Sequence, residues 1–207
     1  MRARNITIAA ILFVVLQLVG IVFSVIGGGF DLAWIVENVL MMALAVVLAC
    51  TYRSHTKNIM KPLIGAALVL LTDSELVLAA QYVQYYDILF FGVYAAIPII
   101  FVALQVLLGL LILAIFIIHC LINAKHESSP GLVKANKILY IIFAVIVVLQ
   151  VIMAVLGNPS AISVVSRVAS VISDLFLLAE IILIEGRLDS FRQEREEKQA
   201  AEAMLEG

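Results

Sequence analysis

Six long runs of apolar residues, each bounded by polar residues, glycine or proline, constrain this chain more than any other feature. A helix needs about 20 mostly apolar residues to cross the roughly 30 Å hydrocarbon core of a bilayer. In lipid the backbone can satisfy its own hydrogen bonds only as helices or closed barrels. The runs fall at 6–26, 32–51, 61–83, 93–122, 138–157 and 161–185, and they predict six transmembrane helices. Of the 207 residues, 64% are hydrophobic and 14% charged, whereas a soluble domain is roughly 45–50% apolar. The expected fold is all-α: a polytopic membrane helical bundle over residues 1–185, with a short cytoplasmic helical tail over 186–207.

Lys and Arg orient such a bundle, because cytoplasmic loops carry them in excess. Arg2 and Arg4 precede the first run, and Arg53, Lys57 and Lys61 join the second to the third. Lys125, Lys134 and Lys137 join the fourth to the fifth, and Arg187, Arg192, Arg195 and Lys198 follow the sixth. The turns near 27–31, 84–92 and 157–160 contain neither residue. Both termini are therefore expected in the cytoplasm, with the chain a multi-pass protein of the cell (inner) membrane. Trp34, Tyr82, Tyr85, Tyr86 and Tyr94 gather near the outer turns, as an interfacial aromatic belt does. The first run is too long for the apolar region of a signal peptide and no Ala-x-Ala site follows, so it reads as a retained anchor. In the tail, strong helix formers and the Glu194 to Lys198 spacing predict a solvated continuation of the sixth helix.

Several function classes are excluded. A net charge of -2 and the lack of any dense Lys/Arg cluster argue against nucleic acid as a partner. Cys50 and Cys120 are too few for a disulfide framework, and His119-Cys120 reads as a polar helix end. H-E-x-x-H, G-x-S-x-G, Walker A and G-x-G-x-x-G motifs do not occur, so no enzyme, cofactor or metal centre is expected. Asp73 and Asp174 lack the glycine-rich surroundings that would admit a substrate backbone to an aspartyl protease. A faint inverted repeat pairs residues 14–19 with 102–107 and Thr72-Asp73 with Ser173-Asp174 on oppositely directed runs. Val-Val-Leu-Gln at 147–150 weakens it, since that run is parallel to the first.

The ionisable residues inside the runs carry the functional signal, since each costs at least about 2.5–3.5 kcal/mol at the centre of a membrane helix. Asp73 lies about 18 Å above Lys61, and Asp174 about 20 Å below Ala161, at 1.5 Å per residue, which places both near the midplane. Glu75 is about 200° around the helix from Asp73, so the two carboxyls cannot share one surface. On the sixth run Ser163, Arg167, Ser170 and Asp174 form one stripe, and Ser166, Ser173 and Glu180 a second about 100° away. Together they predict a broad polar face lining a helix interface or a water-filled path. Glu37 and Arg167 lie at similar depth and are the expected ion pair or gate. Gln17, Gln105 and Gln150 are candidate solute contacts or interhelical hydrogen bonds.

The first functional expectation is an oligomeric transporter or channel for a small solute or ion. In it Asp73, Asp174 and Glu75 bind the cargo, and the bilayer and a small solute or cation are the partners. The alternative is a non-transporting membrane subunit, whose polar faces dock other spans and whose tail contacts a cytoplasmic protein.

Overall fold

A computed structural model of the chain describes residues 2–28, 32–53, 57–86, 96–124, 130–157 and 160–205. Among them are six α-helices: α1 (Arg2–Ile26), α2 (Leu32–Arg53), α3 (Lys57–Tyr86), α4 (Ala96–Ala124), α5 (Pro130–Gly157) and α6 (Ala161–Leu205). The punctuation in the sequence acts locally. Gly28 takes a φ of 83° just beyond α1, a conformation open to glycine without a Cβ penalty, and its N–H donates to the Val25 carbonyl at 3.1 Å. Before α6, the Ser160 hydroxyl accepts the Ser163 N–H at 3.1 Å, an N-cap for the first orphan donors of the helix.

Five helices contain stretches long and apolar enough to cross a membrane: Arg4–Ile26, Leu32–Tyr52, Ile59–Ala80, Ile99–Ile122 and Gly131–Leu156. The chain is a membrane protein with a lipid-facing surface. Exposed apolar side chains such as Ile11, Leu40, Val69, Leu110 and Ile141 cover its outside. The expectation of six apolar spans is corrected here, because α6 is not among the five. Arg167, Asp174, Glu180 and Glu185 interrupt its apolar text, and its packing explains why that is tolerated.

The helices form a ring in chain order, each against the next, and α6 closes the ring on α1 while also reaching α2 and α3. α6 runs the height of the bundle. Ile162 packs beside Gly27 at one end, and Glu185 joins His119 and the Lys61 carbonyl region at the other. Its polar side chains can therefore face neighbouring helices instead of lipid. At the α1–α6 seam the Ser166 hydroxyl donates to the Gly20 carbonyl at 2.9 Å. A Cβ on Gly20 would stand 3.4 Å from the Ser166 carbonyl oxygen, so a small residue lets the two backbones approach, as in other membrane helix contacts.

Phe13, Leu48, Leu68, Ile112, Phe143 and Leu177 are fully buried in the core. Lipid is as apolar as these side chains, so close packing and polar contacts hold the helices together. One such contact joins α4 to α5, where the buried Gln150 amide donates to Gln105. Gln150→Leu alone leaves Gln105 unpartnered and is expected to cost roughly 1 kcal/mol, whereas Gln105→Leu with Gln150→Leu is expected to be nearly neutral. A double-mutant cycle of unfolding in detergent checks this.

α6 continues as one helix to Leu205, as its tail composition predicts. The side chains of the tail, and of Tyr82, Tyr85, Tyr86 and Tyr94, lie outside the described residues, while Trp34 is half-buried.

Candidate functional site

The segment Thr72-Asp73-Ser74-Glu75 on α3 offers two carboxyls on opposite sides of one helix, so the bundle can take in only one. It takes Glu75. Glu75 is buried, whereas Asp73 is exposed on the outer surface. Asp73, at the same depth as Asp174 by the sequence, thus faces outward, and Glu75, about half a turn round the helix, is the α3 carboxyl that the bundle takes in. Thr72 turns back on its own helix, its hydroxyl donating to the Leu68 carbonyl at 2.8 Å.

Opposite Glu75 stands Asp174 of α6, also buried. Asp174 and, from α2, Glu37 stand within electrostatic range of Glu75. Three helices therefore bring three acids to the interior.

Arg167 lies one heptad before Asp174, on the same stripe of α6 and about 10 Å along the axis. Its guanidinium sits 5.2 Å from the centroid of the Phe101 ring on α4, a cation–π distance. Most serines of the two stripes are engaged with backbone or with each other. Ser163 and Ser160 share a 2.7 Å hydroxyl contact at the end of α6, Ser166 bonds Gly20, and Ser173 donates to the Ser170 carbonyl. Ser170 is half-buried. The polar face of α6 is thus partly consumed by helix packing, and its acids stand out from it. Gln105 and Gln150 meet each other, while Gln17 is buried on α1.

The buried side-chain atoms that lack a hydrogen-bond partner among the described residues share one chemistry. They include Gln17 Oε1, Glu75 Oε2, Asn136 Oδ1, Gln150 Oε1 and both carboxyl oxygens of Glu180. Every one is an acceptor. An interior with surplus acceptors is completed by protons, by hydrogen-bond donors or by cations, and it repels anions. Among the described residues no three His, Cys, Asp or Glu side chains converge as a metal-ligand group.

A second polar centre lies at the end of the bundle that carries Lys61. Glu185 of α6 receives His119 Nδ1 of α4 at 2.7 Å on one oxygen. On the other it receives the Tyr140 hydroxyl at 2.9 Å and the Asn136 amide at 3.2 Å, both from α5. His119 Nε2 faces the Lys61 carbonyl of α3 at 3.2 Å. Both ring nitrogens thus face acceptors, and an imidazolium opposite a carboxylate satisfies them all. Four helices are tied at this point. The reading of His119 as a plain helix end missed the centre, as did the omission of Glu185, Asn136 and Tyr140. The available signal was the spacing of Asn136 and Tyr140, four apart on one face of α5, opposite an acid and a histidine at the same end of their helices. Cys120, next to His119, faces outward.

Comparison with known proteins finds no matching family, no matching curated protein and no matching solved structure.

Proposed function

We propose that this protein conducts a proton or a small monovalent cation through the interior of its bundle, with Glu75 and Asp174 as the carboxyls that bind it. The observation that carries the reading is that Glu75 and Asp174 are both buried and stand within electrostatic range of each other, in a bundle whose buried unpartnered atoms among the described residues are all oxygen acceptors. Ionisable groups inside membrane helices mark ion paths and proton relays. Glu37 tunes the charge at the pair. Arg167 lies between the pair and the Ser160 end of α6, where with Glu37 it gates access and keeps other cations out. Glu180, buried and without a hydrogen-bond partner among the described residues, is a further station toward the Glu185 end.

In this reading α6 is carried across the membrane in the shelter of the other five helices, and both termini lie on the Lys/Arg-rich, cytoplasmic side of the cell membrane. The test is the purified full chain in liposomes: a pH-sensitive dye with a potassium gradient and valinomycin reads protons, and sodium- or potassium-sensitive dyes with a protonophore in place of valinomycin read the other two cations. Proton, sodium or potassium flux above that of empty liposomes supports the reading. Flux equal to empty liposomes for all three cations overturns it.

A further inference from the structure

We infer that Asp73 is the anchor of a docking surface for a membrane helix of a different protein, one carrying a basic side chain near the bilayer midplane. Asp73 is exposed on the outer face of α3 and has no hydrogen bond or ion pair among the described residues. It lies within the apolar part of α3, about 24 Å from the start of that helix at Lys57 and 20 Å from its end at Tyr86, at 1.5 Å per residue. An aspartate side chain is too short to reach the interface from that depth, unlike the long stems of Lys and Arg that snorkel. A carboxylate facing hydrocarbon is costly unless it is paired, and among the described residues it has no partner.

The face around it is shaped for a helix. Ala66 and Ala80 are exposed within about 20° of Asp73 on the helical wheel, flanked by exposed Val69, Leu76 and Val77. Small residues on either side of a polar one allow the close backbone approach that membrane helix pairs use.

Charge decides between the occupants. A second copy would have to offer a basic group at the height of Asp73. The exposed basic side chains described are Arg4, Lys134 and Lys137. Arg4 begins α1, and Lys134 and Lys137 flank Asn136, which bonds Glu185 at the level of the Lys61 carbonyl. All three lie at the basic end, about 18 Å along the bundle from Asp73. Inverting one copy does not help, because Asp73 sits near mid-height and meets the middle of its neighbour in either orientation. Arg167, the basic side chain nearest that height, is held over the Phe101 ring. The complementary charge therefore comes from another protein.

The experiment uses the full chain in liposomes, with Cys50→Ser and a donor dye on Cys120. The probes are acceptor-labelled polyleucine helices carrying a central arginine, an arginine near one end, or none. Energy transfer is expected to show at least tenfold tighter association with the central-arginine helix. The advantage is expected to disappear in Asp73→Leu and to persist in Asp73→Glu. Equal association with all three helices overturns the inference, as does an unchanged preference in Asp73→Leu. Self-association of the wild-type chain that Asp73→Leu abolishes also overturns it, and assigns the surface to a second copy.

Discussion

Asp174→Asn is expected to lower cation flux in liposomes at least tenfold, while the yield and melting temperature of the purified protein stay near those of the wild type. Asparagine has the shape of aspartate, and its amide can donate to Glu75, so the contact between α3 and α6 is kept. What is lost is the group that takes up and releases a positive charge. A tenfold fall corresponds to about 1.4 kcal/mol on the barrier, a modest demand for removing one of two binding carboxyls. Glu75→Gln is expected to fall as far, and the double variant little further, because the two carboxyls act as one site. Asp73→Asn, on the outer surface, is expected to conduct like the wild type. If Asp174→Asn conducts normally, the Glu75–Asp174 pair is packing, and the proposed function fails with it.

The second large effect is on stability. Glu185→Ala is expected to reduce the free energy of unfolding in detergent by about 2–3 kcal/mol. Breaking a fully buried ion pair by removing one partner costs roughly 3–5 kcal/mol, and the Glu185 side chain keeps 18% of its exposure, so a lower figure applies. Three donors lose their acceptor at once: His119, Asn136 and Tyr140. His119→Leu is expected to cost a similar amount, and the double variant clearly less than the sum of the singles. Chemical unfolding of the two singles and the double measures this. Additive losses would show that His119 and Glu185 stabilise the bundle independently.

α1 to α5 were legible because lipid imposes length and apolarity together, and both are written in the residue text. α6 was harder to place. Its polar stripes announced an interior helix, yet the count of apolar spans included it, and only the ring of neighbours explains how Arg167, Asp174 and Glu180 are housed. At α3, the angle between Asp73 and Glu75 showed that the two carboxyls cannot share one surface, and the structure turns one of them out. Which one depends on how α3 is rotated in the bundle, and no local pattern in so uniformly apolar a helix sets that. Glu185 escaped notice for another reason. An acid near the end of a span ordinarily meets water, and its buried role depends on His119, Asn136 and Tyr140, which approach from elsewhere in the chain.

The closure of the ring between α1 and α6 bears on how the protein is made. Helices leave the ribosome in order, and α1 to α5 are each apolar enough to enter the bilayer on their own account. α6 emerges after them, with charges that disfavour lipid. It becomes tolerable in the membrane only beside partners already there, above all α1, whose Gly20 surface waits through the synthesis of four intervening helices. The sixth helix is thus admitted by the five before it, and a chain stopped before it would expose a polar seam for the cell's quality control to read.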